Sequence, residues 1–226
     1  MSDPLQSRSY LAARRMLCVV VLVAGCSLLS AAEVIDRIVA TVNRHPILQS
    51  EWDEAVEFES LSSGRPLAAV TPEDRKQTLE RLIDQQLIAE QMRASSFVPA
   101  KPDEVAGKVR ELRQTVPAWQ ADDGWRAALA AYNLTEEDVE ERTAIQVNLL
   151  RYLDQRFRPQ IRIDQKAIES YYGEQLLPQL RRAHAPEPPL SQVAPTIEQL
   201  LVEQRLNEIQ GLWVRGLRLQ AEIQVR

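Results

Sequence analysis

Apolar positions along this chain repeat with two different periods. Val34–Val42 is rich in β-branched residues and alternates Ile35, Arg37, Val39 and Thr41 with Val34, Asp36, Ile38, Ala40 and Val42, which predicts a short strand. Asn43-Arg44-His45-Pro46 breaks that pattern. From Ser50, a candidate N-cap, the spacing becomes helical as far as about Leu61, and Ser62-Ser63-Gly64-Arg65-Pro66 reads as a loop.

The second helix is the most sharply marked. Thr71 suits the N-cap, Pro72 the first helical position, and Glu73 and Asp74 the positive end of the helix dipole. Leu79, Leu82, Ile83, Leu87, Ile88 and Met92 make a broad stripe for burial, closed by Phe97-Val98-Pro99. A third helix is expected over Asp103–Thr115 and a fourth over Asp122–Ala131. The fifth starts at Thr135, carries Val139, Ile145, Leu149, Leu150, Leu153 and Phe157, and stops at Pro159.

Ile161-Arg162-Ile163 is a short extended link, after which Asp164 caps a helix from Gln165 to about Leu177. Residues 178–195 contain Pro178, Pro186, Pro188, Pro189 and Pro195 and read as a proline-rich connector. The last helix, Thr196 to Leu219, has apolar residues enough to outweigh Gly211 and Gly216, each costing about 1 kcal/mol relative to alanine. Ala221, Ile223 and Val225 then alternate with polar residues as a closing strand, expected to pair with Val34–Val42. The fold class that follows is mainly α with a small β element joining the two ends.

Composition agrees with a globular chain able to bury a core: 45% of the 226 residues are hydrophobic and 26% charged. Lys+Arg number 27 against 32 Asp+Glu, a formal net charge of −5, which argues against a sequence-independent nucleic-acid binder. Residues 1–32 read as an export signal, with Arg8, Arg14 and Arg15 ahead of the apolar run Met16–Leu29. Two processing readings stand. Ser30-Ala31-Ala32 would release a soluble chain near Glu33, whereas Val23-Ala24-Gly25-Cys26 resembles a lipobox, in which Cys26 is lipidated and anchors the protein to a membrane. Cys18 and Cys26 are the only cysteines, so the remainder has no disulfide and no thiolate site.

The ordered set of strand, Asn-containing turn, the helix start Ile47-Leu48-Gln49-Ser50 and Glu80-Arg81-Leu82-Ile83-Asp84-Gln85-Gln86-Leu87-Ile88 resembles the N-terminal domain of SurA-type periplasmic chaperones. Leu134-Thr135-Glu136-Glu137-Asp138, the helix after it, and Ile168-Glu169-Ser170-Tyr171-Tyr172 are similar to that family's core. Residues 193–225 resemble the segment that follows its parvulin-type prolyl isomerase domain and packs back. The resemblance implies a helical domain over residues 33–177, the connector 178–195 where an isomerase domain would stand, and a C-terminal helix and strand over 196–226. Arg182-Ala183-His184 is faintly similar to the start of a parvulin strand, but 18 residues are far too few for that fold.

Catalytic chemistry finds no centre in the sequence. His45 and His184 are the only histidines, and no zinc motif, phosphate loop, dinucleotide fingerprint or serine elbow is present. No metal or cofactor is expected. Glu136-Glu137-Asp138 and Glu140-Glu141 are explained by the dipole of the helix they open. What remains is binding through shape and apolar surface, with Trp52 and Trp119 as the better surface candidates for client contact, core or rim packing being the leading reading even for them, and Trp125 and Trp213 as core. The resemblance thus implies a periplasmic, ATP-independent holdase for unfolded outer-membrane or secreted proteins, and no enzyme. The alternatives are residual prolyl isomerase activity and a structural lipoprotein or assembly subunit with one fixed partner.

Overall fold

A two-residue turn organises the small sheet. The computed structural model describes residues 36–226. β1 (Ile38–Val42) and β2 (His45–Leu48) are antiparallel, joined by Asn43 and Arg44 at φ 48° and 71°. Two consecutive left-handed residues match the right-handed twist of a hairpin, and asparagine tolerates that conformation well. The sequence reads Pro46 as part of a break, yet it pairs with Thr41. β2 is an edge strand, where the missing N–H of proline removes no ladder bond. A register irregularity between Ile38 and Ala40 interrupts the two-residue period, and the consecutive Val39 and Ala40 are both buried.

β3 (Ile223–Val225) pairs antiparallel with the other side of β1, in the order β2-β1-β3, so the expected pairing of the chain's distant segments is observed. Asn43 ties this junction together. Its N–H donates to the Glu222 carbonyl, its Oδ1 accepts from the Glu222 N–H, and its Nδ2 donates to Glu90, the last at 2.7 Å. The N-terminal part of the expected strand, Val34 and Ile35, lies outside the described residues, as do the expected export signal and Cys26.

Eight helices follow β2 among the described residues. They are α1 (Gln49–Ser63), α2 (Pro72–Arg93), α3 (Pro102–Gln114), α4 (Asp122–Ala131), α5 (Glu136–Phe157), α6 (Gln165–Tyr171), α7 (Leu177–Arg182) and α8 (Leu190–Gln220). Thr71 and Thr135 cap α2 and α5 by accepting from the N–H of Asp74 and Asp138, and Asp164 caps α6 by accepting from Ala167. α1 starts one residue before Ser50, with the Glu51 carboxylate accepting the Leu48 N–H at 2.8 Å.

The C-terminal third is more helical than its prolines suggest. Residues 172–176 make a π-helical turn that carries α6 into α7, and α8 begins at Leu190 and runs through Pro195 instead of starting at Thr196. Tertiary packing accounts for this. α6 lies against α8, the Tyr172 hydroxyl donates to the Pro188 carbonyl at 2.8 Å, and Ile168 and Ile197 are buried. Only residues 183–189 remain as a non-helical link.

Three apolar clusters hold Arg37–Arg226 as one compact unit. The first packs Val39, Val42 and Ile47 of the sheet on Leu79, Ile83 and Leu87 of α2. The second joins Phe58 and Leu61 of α1 to Trp119, Trp125, Leu129 and Val139. The third brings Ile88 together with Tyr152, Leu153 and Phe157 of α5 and Leu206 of α8, with Trp213 edge-on to Phe157 at 5.3 Å. No helix among the described residues is long and apolar enough to cross a membrane.

Candidate binding cleft

Small side chains open a space between α3 and α5. Ala100, Pro102, Val105 and Ala106 from the α3 side and Ala144 from α5 floor a cleft of about 620 Å³. Its rim is acidic, formed by Asp103, Glu137, Glu140 and Glu141. Positions 137, 140, 141 and 144 fall at i, i+3, i+4 and i+7, one face of α5. Ala106 and Glu140 also line a smaller recess of about 180 Å³ with Val109, Arg110, Arg113, Trp125 and Glu136, extending the groove along α3 toward α4.

The walls are fastened at their ends. Near the cleft, Ala100 N–H donates to Asn148 Oδ1 at 2.7 Å and Arg151 reaches Glu104 at 2.8 Å, both linking α5 to the start of α3. At the far end Arg113 holds Asp122 at 2.8 Å and the Trp119 carbonyl at 3.2 Å, with its guanidinium 5.5 Å from the Trp125 ring centre. Between these anchors α3 buries only Val105. With Val109 and Leu112 packed against the second cluster, α3 is held along its length as well as at its ends, and the crevice beside it does not collapse.

Carboxylates beside the cleft are neutralised, whereas those on its rim are not. Glu54 pairs with Arg142 at 2.6 Å, and Glu104 with Arg151, whose contact and the Lys101 N–H hold the Glu104 carboxyl below the usual carboxylate range, the backbone bond contributing most. The carboxylates of Asp103, Glu137, Glu140 and Glu141 make no ion pair or side-chain hydrogen bond among the described residues. The groove therefore combines an apolar floor with concentrated uncompensated negative charge.

The two tryptophans singled out from sequence lie elsewhere. Trp119 is 8% exposed and packs with Trp125 at 6.0 Å between ring centres, which corrects its expected surface position. Its neighbour Pro117 opens a 3₁₀ turn that folds the indole into the second cluster rather than leaving it on a loop. Trp52 is half-buried against the sheet cluster; its Nε1 donates to the Arg75 carbonyl at 2.8 Å and the Arg75 guanidinium covers the ring at 4.7 Å. Neither presents a free ring face to the cleft. His45 lies in β2, 3.3 Å from Glu90, and His184 takes φ 52° in the turn after α7, so each histidine belongs to a turn or hairpin. Among the described residues no group of three His, Cys, Asp or Glu side chains is close enough to hold a metal ion.

A family model for the SurA-like N-terminal domain matches residues 6–153, ending within α5. The chain belongs to the SurA-like N-terminal domain family. No parvulin domain is detected. Among curated proteins, none matches. The match includes all of the cleft's lining residues, and the SurA-like domain here is completed by α8 and β3, which lie beyond it.

Sequence reasoning missed the cleft because alanines carry no binding signal of their own. The glutamates were visible, and the helix dipole accounts for Glu136, Glu137 and Asp138. Glu140 and Glu141 lie beyond the first turn, where the dipole's effect has faded. Their i, i+3 and i+4 relation to Glu137 and Ala144 was the available clue.

Proposed function

We propose that this protein is an ATP-independent periplasmic chaperone that holds unfolded polypeptide, outer-membrane and secreted proteins among its clients, in the cleft between α3 and α5. The observation that carries this reading is the apolar-floored, end-anchored crevice within a domain of the SurA-like N-terminal family. Its volume falls in the range that accommodates a few side chains, and its walls are formed before any client arrives. Holding then requires no nucleotide, and release follows when the client folds or passes to a higher-affinity site.

Residues 1–32 act as the export signal in this proposal. Processing after Ala32 gives a soluble form, and processing before Cys26 gives a lipid-anchored one. Mass spectrometry of the mature N-terminus separates these by the starting residue and by the mass of the acyl chains. The compact unit works as a whole, the residues after 177 closing it onto the sheet rather than forming a separate catalytic body.

The test is light scattering from an unfolded outer-membrane porin diluted out of urea, with and without residues 33–226. Suppressed aggregation in the absence of ATP is expected. A folded protein that leaves scattering unchanged would overturn the holdase reading and redirect attention to a single dedicated partner.

A further inference from the structure

We infer that the α3/α5 cleft selects polypeptide segments in which aliphatic residues are interspersed with lysine or arginine, the cationic groups lying against Asp103, Glu137, Glu140 and Glu141. This deepens the holdase proposal and rests on it. The floor of Ala100, Pro102, Val105, Ala106 and Ala144 offers contact without large rings, so it receives side chains rather than presenting its own. Small lining residues favour bulky guests, and an apolar floor removes their surface from water.

Charge decides which apolar guests are preferred. Glu137 is three residues from Glu140 and four from Glu141, like-charge spacings that are unfavourable on a helix. No cation among the described residues pairs with any of them, or with Asp103. Arg110 and Arg113 line the adjoining recess with Glu136 and Glu140; Arg113 is occupied by Asp122, and Arg110 makes no ion pair with either glutamate. A lysine or arginine on a bound segment would relieve the repulsion along α5, while its aliphatic stem would cover the alanine floor. An acidic segment would add to the repulsion. The chain's net charge of −5 acts in the same direction at longer range.

Complementarity at a solvent-exposed rim is screened by salt and contributes modestly per pair. Three rim glutamates therefore supply discrimination of roughly tenfold, as expected for a chaperone that prefers a composition and not a sequence.

The experiment compares two fluorescent twelve-residue peptides with identical aliphatic residues, one carrying lysines and the other glutamates at the remaining positions. Fluorescence anisotropy against residues 33–226 at low salt should show the lysine peptide binding ~10-fold tighter, the gap narrowing in 0.5 M salt. The variant Glu137→Gln/Glu140→Gln/Glu141→Gln, all at exposed positions, should keep its circular dichroism spectrum and lose that preference. Glu140→Lys/Glu141→Lys should reverse it. Wild type and the triple variant binding both peptides equally, while porin aggregation is still suppressed, would overturn this selectivity and leave the holdase reading standing. No binding of either peptide together with no suppression would remove both. Self-association in wild type that the triple variant abolishes would assign the cleft to a second copy of the chain and overturn the inference.

Discussion

At Arg44 the backbone has φ 71°, in the second position of a two-residue hairpin turn where glycine is the favoured residue. Arg44→Gly relieves left-handed strain of about 1–2 kcal/mol and returns part of it as unfolded-chain entropy, so a gain of about 0.5–1 kcal/mol in unfolding free energy is expected from urea denaturation. Two carboxylates nearby in sequence predict opposite responses to acid. The Arg65 side chain first, then the Thr71 hydroxyl and N–H, hold Asp74 well below the usual carboxylate range. Its ionised form therefore contributes stability above the unfolded value near pH 4, which is lost as pH falls through the folded value. Asp74→Asn should lower Tm at pH 7, and the deficit should shrink toward pH 2. Glu57 is pushed up, chiefly by burial, with Asp53, Glu54 and Asp138 adding to the effect and the Asn133 side chain opposing it. Its favourable contribution is present at low pH and lost as pH rises through the folded value, so Glu57→Gln should raise Tm at pH 7 and change little near pH 3. Thermal scans of both variants across that range check the two signs together.

Element by element, what could be seen in advance was what local chemistry controls. Thr71, Thr135 and Asp164 announced α2, α5 and α6 through caps completed within three residues. β2 and the first turn of α8 were hidden behind prolines whose tolerance depends on remote neighbours: Pro46 on a sheet edge, Pro195 in a helix held by packing on α6. Trp119 was misplaced for the same reason, since a 3₁₀ turn beside a proline does not say which way its ring faces. The cleft was least visible, being a property of the gap between α3 and α5. One close approach fixes the entry to α4: a Cβ on Gly124 would sit 1.8 Å from the Ala118 carbonyl oxygen, a backbone atom that cannot swing aside. Gly124→Ala should push α4 off the preceding turn and cost at least ~2 kcal/mol by urea unfolding. The loss should be accompanied by a change in near-ultraviolet circular dichroism from Trp119 and Trp125, which pack at this junction.

Across the whole molecule, α8 and β3 complete clusters begun more than a hundred residues earlier. Leu206 and Trp213 fill the cluster around Tyr152 and Phe157, β3 covers the second edge of β1, and Arg218 reaches Asp84 at 2.5 Å and Glu80 at 2.7 Å on α2. Arg158 at the end of α5 bridges to Glu203 of α8 at 2.7 Å. The Arg218 contacts are partly open to solvent, so Arg218→Met should cost only about 1 kcal/mol. Removing the apolar contribution is far more damaging, because large buried side chains each carry several times that amount. A chain ending at Pro189 should lose cooperative urea unfolding and expose the faces of α2 and α5 that α8 covers. Addition of a peptide spanning residues 190–226 should restore a single sigmoidal transition and the amide protection of β1. A truncated chain that unfolds cooperatively with unchanged protection at Val39 and Val42 would mean that α8 and β3 decorate a self-sufficient domain, and that the cleft stands without them. Restoration by the peptide would instead make the return of the distant segment the condition for keeping α5, and with it the acidic wall of the cleft, in place.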